Sequence, residues 1–259
     1  MEITLKRIGG ATFILSLNDL RIACDPALSA RGTVHDFFWF RSERIEEPVY
    51  SPGDFDGIDL WLVTHNHLDH LDPQGLAQIN ENSEVVSNRN AAGLLVKQGI
   101  KSLAVLDWGE TKGFHFREYD IRVTAVPAVH GVNPVSAFFA GRGNGYFLEI
   151  STGGERVGVY ITGDTVYKRR FRKIFRDRKT DILIPNMGAA KQGSWIMTLT
   201  LNAKMLRKLM NDVDPALVVP VHYGTFEHYV EPVTEIVAFN DQRIKFVAPG
   251  ETLCIQRPA

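Results

Sequence analysis

The chain has 259 residues, 44% of them hydrophobic, and 29 Lys+Arg against 30 Asp+Glu for a formal net charge of -1. At roughly 100–200 residues per domain this is enough for one substantial core, read as a single domain over 1–259. The near-neutral balance excludes a general polyanion binder, so no nucleic-acid partner is expected. Two cysteines outside any CxxC spacing, Cys24 and Cys254, exclude a disulfide framework and a cysteine-rich zinc module and fit a reducing, cytoplasmic setting. Glu2, Lys6 and Arg7 precede a short apolar stretch broken by Thr12 and Ser16, which does not read as a signal peptide. No run reaches the ~18 apolar residues of a membrane span. A small-molecule partner is expected, and a homo-oligomer is left open.

In chain order, strand-like runs cover residues 2–8, 11–17 and 20–24, the last two joined by Asn18-Asp19 as a hairpin turn. Residues 25–57 show no period and form a connection far longer than the usual ~4–6 residues. Within them Phe37-Phe38-Trp39-Phe40 reads as a substrate wall or, equally, as packing on a core edge. Residues 58–64 form a dense apolar run suited to a strand buried on both faces. Helices are expected at 73–79 and 90–98, with a strand at 84–87 between them. The order then restarts: strands at 114–117 and 120–127, a hairpin from 146–150 to 156–162, a basic helix near 169–178 and a strand at 181–185. A helix at 201–211, a strand at 216–221, a helix near 231–240 and strands at 243–247 and 252–256 complete the chain. Hairpins followed by crossover units, given twice, predict two mixed sheets packed face to face with helices outside.

Chemistry concentrates in Thr64-His65-Asn66-His67-Leu68-Asp69-His70, which sets three imidazoles and a carboxylate directly after a buried strand. Borderline nitrogen and hard oxygen donors of this kind suit a first-row divalent metal. One tight turn can aim His65 and His67 at one metal while Asp69 and His70 face a second. Asp72 and Pro73 then supply an N-cap and a first-turn proline for a helix behind the turn. Taken singly, His130 is an ordinary loop histidine and Asp164 a helix N-cap.

The pattern His-x-His-x-Asp-His after a hydrophobic strand resembles the metallo-β-lactamase superfamily, and further segments match that family in order. They are Asp25-Pro26 at the end of an early strand, His130 in Pro127-Ala128-Val129-His130-Gly131, Gly163-Asp164-Thr165, and His222 in Val219-Pro220-Val221-His222. The resemblance spans about residues 3–250 and implies an α/β fold, a four-layer αβ/βα sandwich of two mixed sheets with helices on both outer faces. It implies that His65, His67 and His130 hold one metal, that Asp69, His70 and His222 hold another, and that Asp164 bridges both. Asp25 would stand behind them and orient a ligand imidazole. The activity implied is metal-dependent hydrolysis by a hydroxide bridging two divalent ions, Zn²⁺ or else Mn²⁺ or Fe²⁺, with Asp69 among the catalytic residues.

Softer likenesses resemble the branch that includes ascorbate-6-phosphate lactonase and N-acyl phosphatidylethanolamine phospholipase D. They lie in Ile161-Thr162-Gly163-Asp164-Thr165, Pro185-Asn186-Met187-Gly188 with Met197-Thr198, and Val221-His222-Tyr223-Gly224-Thr225-Phe226. They imply a phosphodiester, lactone or other ester-type bond in a small metabolite or lipid, phosphorylated or not. His228 is a candidate to contact substrate or protonate the leaving group, against the alternative of a surface loop residue. Lys191, Trp195 and Tyr223 are candidate substrate contacts, and Lys191 and Trp195 could equally belong to a packed loop. The basic run 168–179 reads as an amphipathic surface helix, or as a contact for an anionic substrate or phospholipid. Two other functions compete: a metal-binding or metal-free scaffold serving as a regulatory module, and a nuclease-type phosphodiesterase. The filled ligand positions speak against the first, and the charge balance and compact length against the second.

Overall fold

The structure, a computed structural model, describes residues 1–37, 40–191 and 198–256. Strands β1 (Ile3–Gly9), β2 (Thr12–Leu17) and β3 (Leu20–Cys24) form an antiparallel meander, and Asn18 turns its second hairpin at φ 47°. Among the described residues, the long connection after β3 holds a small hairpin, β4 (Val34–Asp36) and β5 (Arg41–Glu43), and a 3-10 turn at Pro52–Phe55. Strands β6 (Leu60–Val63), β7 (Glu84–Ser87) and β8 (Ser102–Val105) then add in parallel beside β3.

The second sheet is built from β9 (Thr111–Phe116), β10 (Tyr119–Val129), β11 (Arg142–Thr152), β12 (Glu155–Ile161), β13 (Ile182–Ile184) and β14 (Leu217–Val218), in the order β14-β13-β12-β11-β10-β9. The last strand, β15 (Thr252–Ile255), returns to the first sheet and pairs antiparallel with β1, which gives the order β15-β1-β2-β3-β6-β7-β8.

Period-2 alternation assigns each strand's two faces to different layers. Phe13, Leu15 and Leu17 of β2 meet Tyr146, Leu148 and Ile150 of β11 in the core between the sheets. Ile14, Ala23, Trp61 and Val63 face outward under Ala91 and Leu95 of helix α2 (Arg89–Lys97). On the other side Phe147, Tyr160 and Leu183 pack under Leu206, Leu209 and Met210 of helix α5 (Ala203–Val213). Helix, sheet, sheet, helix is the expected four-layer architecture. Burial on both faces explains why β6 reads Leu-Trp-Leu-Val without alternation.

Several expected elements differ. Residues 243–247 form no strand, only an isolated bridge from Ile244 to Val218, and Pro220 limits the neighbouring edge by removing a ladder donor. Helix α3 (Pro134–Ala140), capped by Asn133 and opened by Pro134, escapes a reading based on hydrophobic period. Edge strand β8 escapes it too, because none of its residues is fully buried. The basic run yields a single turn, α4 (Phe171–Ile174), with Phe171 and Phe175 buried; like charges four apart at 168/172, 169/173 and 172/176 disfavour a longer helix. The 231–240 helix likewise shrinks to α6 (Thr234–Val237). Among the described residues no helix is long and apolar enough to cross a membrane.

Helix α1 (Pro73–Leu76) sits tightly behind the histidine turn. Asp72 accepts from the Gly75 amide at 2.7 Å and from the Ser29 amide at 2.6 Å. A Cβ on Gly75 would lie 1.7 Å from the Pro26 carbonyl oxygen. Gly75→Ala is therefore expected to lower the unfolding free energy by about 1–3 kcal/mol, read from the urea midpoint; an unchanged midpoint would show that α1 can move off Pro26 freely.

Candidate metal centre

The chemistry-bearing residues all follow the C-terminal ends of strands, where open α/β sheets place their ligands. Asp25 follows β3, His65 follows β6, His130 follows β10, Asp164 lies three residues past β12, and His222 comes after β14. Two of these exits need left-handed backbone: Asp25 at φ 44° and His222 at φ 62°. Gly163, at φ 57°, has no space for a side chain, since a Cβ would meet the Asn144 carbonyl at 2.5 Å.

Two groups of side chains converge, His65 with His67 and His130, and Asp69 with His70, Asp164 and His222; within each group the donor atoms lie within 4.8 Å of one another and could hold a metal ion. Asp164 touches both groups. Its Oδ1 is 3.1 Å from His70 Nε2 and 3.3 Å from His222 Nε2, and its Oδ2 is 3.3 Å from His130 Nε2 and 4.0 Å from His65 Nε2.

Hydrogen bonds behind the site aim the rings. Asp25 accepts from the Thr64 amide and the Thr64 hydroxyl, each at 2.7 Å, and from His70 Nδ1 at 2.7 Å, which turns His70 Nε2 inward. Because the Thr64 hydroxyl donates to Asp25, its oxygen accepts from His65 Nδ1 at 3.0 Å and turns His65 Nε2 inward too. His222 Nδ1 donates to the Met187 carbonyl at 3.0 Å, and Asn186 Nδ2 donates to Asp164 Oδ1 at 2.9 Å. Five buried atoms of the two groups nevertheless lack a hydrogen-bond partner: His65 Nε2, Asp69 Oδ1, His70 Nε2, His130 Nδ1 and His222 Nε2. A single unsatisfied buried group costs about 1–3 kcal/mol. Orphaned imidazole nitrogens and carboxylate oxygens gathered this closely are the donor set that divalent ions satisfy, so the residues fit the metals the sequence implies.

The electrostatics agree. Burial, with the neighbouring His70 and His67, holds His65 well below the ordinary imidazole value, and burial together with His130 brings His67 to about 4, so both lone pairs are free. Burial alone would raise Asp69 and Asp164. It is outweighed at Asp69 by His70 and by the facing His222 and His228, and at Asp164 by His222, His70 and His130, so both stay well below the usual carboxylate range. His70, despite burial, is held well above its ordinary value by Asp164, Asp25 and Asp69. These carboxylates favour a proton on His70, which supplies the positive charge they lack without a metal.

His228 is no surface residue: it is 8% exposed, and its Nε2 stands 3.3 Å from Asp69 Oδ2. Tyr229 donates to the same Asp69 oxygen at 2.9 Å and lays its ring on His222, centroids 4.0 Å apart. Phe37 and Phe40 line the cavity over the site, which makes that part of the aromatic cluster a wall; Phe38 and Trp39 lie outside the described residues. Tyr223 does not reach the cavity, because the Arg7 guanidinium covers its ring at 4.3 Å and Phe246 meets it edge-on. Lys191 follows the lining residue Ala190 without lining the cavity itself, and Trp195 lies outside the described residues. Thr64, Asn186, Tyr229 and Ser42, which bonds His228, were not singled out from sequence.

The family described as β-lactamase superfamily domain matches residues 20–223. The chain belongs to the β-lactamase superfamily. It is 26% identical over 257 residues to a UPF0173 metal-dependent hydrolase of Methanosarcina mazei, covering 97% of this chain and 98% of the relative. A protein of the same description from Pyrococcus furiosus is 26% identical over 214 residues, 80% of this chain and 86% of the relative. Among solved structures, a possible metal-dependent hydrolase from Veillonella parvula superposes with TM-score 0.81 at 21% identity over 98% of this chain and 100% of that one. An isothiocyanate hydrolase from Delia radicum gut bacteria superposes with TM-score 0.80, also at 21% identity, over 98% and 99%. As a member of this superfamily the chain is a metal-dependent hydrolase.

Asp25 carries one side of the ring-orienting network. Asp25→Ala is expected to lower the unfolding free energy of the metal-free chain by about 3–5 kcal/mol, because it leaves His70 charged and half-paired in a buried site. Chemical denaturation in the presence of chelator measures this, and a loss below about 1 kcal/mol would show that His70 is not charged there.

Proposed function

We propose that the chain hydrolyses an ester-type bond, carboxylic ester, lactone or phosphodiester, with two divalent ions held by His65, His67 and His130 on one side and Asp69, His70 and His222 on the other. Asp164 is the shared ligand. Zn²⁺ suits the donors, as do Mn²⁺ and Fe²⁺. The observation that carries this reading is Asp164, one oxygen turned to each group. When bound, the ions supply Lewis acidity at the scissile bond and a nucleophile at neutral pH. The likeness to the ascorbate-6-phosphate lactonase and N-acyl phosphatidylethanolamine phospholipase D branch supports the bond class, and the similar isothiocyanate hydrolase adds another electrophilic carbon to test.

The chain's own residues do the positioning. Asp25, Thr64 and the Met187 carbonyl lock ring orientations, which avoids reorganisation when substrate arrives. Ser42 decides what His228 can do. Its Oγ accepts the His228 backbone N–H at 3.3 Å and lies 2.7 Å from His228 Nδ1. His228 Nε2 faces Asp69 Oδ2, an acceptor, at 3.3 Å and so carries the hydrogen on the cavity side, which leaves Nδ1 to accept from the Ser42 hydroxyl. His228 is thus a donor to the departing group, and Ser42 is a positioning residue acting through it.

Chelation should abolish hydrolysis of phenyl acetate, a lactone panel or bis-p-nitrophenyl phosphate, and added Zn²⁺ or Mn²⁺ should restore it. Asp164→Ala should retain less than one metal equivalent by elemental analysis; two retained equivalents would overturn the shared-ligand assignment, and a metal-loaded chain that turns over none of the probes would favour a binding module. Ser42→Ala should keep both metals yet lose roughly 10–100-fold in kcat, with Ser42→Thr restoring activity; an unchanged kcat would remove His228 from proton delivery.

A further inference from the structure

We infer that the substituent carried by the scissile bond is uncharged, apolar and flat, and that Phe37 and Phe40 select it. This rests on the hydrolase reading above and adds the substrate class. Outside the His and Asp side chains, the residues that line the cavity over the two groups are Phe37, Phe40, Ala140, Ala190 and Leu199. A phosphate or carboxylate substituent packed against them would be stripped of hydration, a penalty that only a paired cation offsets.

No cation lines the cavity among the described residues. Arg44 gives Nη1 and Nε to the Ala27 and Glu46 carbonyls, lies against the Phe226 ring and turns its unpartnered Nη2 toward Gly9, without lining the cavity. Arg142 and Arg170 lie over Trp108. Residues 38, 39 and 192–197 carry no charge in the sequence. A phosphate held away from the ions therefore finds no cationic side chain among the described residues that line the cavity.

The aromatic wall is ordered by its own contacts. Phe37 and Phe40 stack at 4.9 Å and 10°, and they meet His228 edge-on at 5.2 and 5.4 Å. Phe37 also meets His67 edge-on at 6.3 Å. Stacked and T-shaped contacts are the favoured geometries of aromatic pairs. They fix a flat apolar surface beside the reacting groups, against which a planar substituent packs.

The test holds the scissile ester constant and varies only its substituent. The Zn²⁺-loaded full chain is assayed with phenyl acetate and with its 4-carboxylate and 4-phosphate derivatives. The parent ester should show kcat/KM at least about tenfold higher than either derivative, and Phe37→Ala with Phe40→Ala should raise its KM about tenfold with both metal equivalents retained. Calorimetric binding of benzamide against 4-carboxybenzamide gives a readout independent of turnover and should show the same preference, lost in the double variant. Equal or better handling of the charged derivatives, or a double variant that changes neutral and charged probes alike, would overturn the inference. Benzamide binding that depends on the two rings, with no ester turned over, would uphold the wall and overturn the hydrolase reading instead.

Discussion

Three carboxylates buried around one imidazole constrain everything else at this end of the molecule. Asp25, Asp69 and Asp164 surround His70 in a buried region, and charge removed from water is tolerated only when paired and hydrogen-bonded. The fold answers with fixed donors: the Thr64 amide and hydroxyl to Asp25, Asn186 to Asp164, and Tyr229 to Asp69. What these donors leave unsatisfied is directed inward, within the two groups of side chains that could hold a metal ion. The negative charge is thus held in place by the scaffold, and the binding capacity is the remainder.

Bringing that many side chains to one place requires backbones to approach closely. All the contributing segments leave the same ends of two face-to-face sheets, so the seam between the sheets becomes the site. Tyr146 crosses this seam directly, its hydroxyl donating at 2.7 Å to the Val63 carbonyl two residues before His65. Gly145 sits beside it, where a Cβ would fall 2.6 Å from the Thr162 carbonyl. The wall of Phe37 and Phe40 comes from the long connection after β3, so the reacting groups stand on rigid strand ends and the substituent is met by a loop. Scaffolds commonly divide the work this way, with rigid elements holding the reacting groups and loops meeting the ligand.

The sheets and the ionic part of the site were legible because their signals are local. Alternation marks β2 and β11, unbroken apolar runs mark β6, and imidazoles packed into a six-residue turn have few structural uses. Hydroxyls and amides were not legible in this way. Ser42, Thr64 and Asn186 are common residue types whose importance depends on partners far along the chain, as with Ser42 and His228. Short helices failed for a related reason. The basic run around Phe171 has helical spacing, but burial of Phe171 and Phe175 anchors it while like-charge crowding limits it to one turn. Tyr223 was misplaced because adjacency to His222 in sequence does not mean adjacency in the cavity: the backbone turns left-handed at His222, and the next side chain goes to Arg7.

The spread of the contributing residues along the chain has a mechanical meaning. Residues from His65 to His222 meet at one seam, so ions held there would act as cross-links that close loops of well over a hundred residues. A cross-link of that reach removes conformational freedom chiefly from the unfolded chain, an effect that grows with the logarithm of the loop. The two sheets would then be pinned together from the top of the sandwich, and separating them would require letting go of the ions first. Loading the site is for this protein as much an act of fastening as of arming.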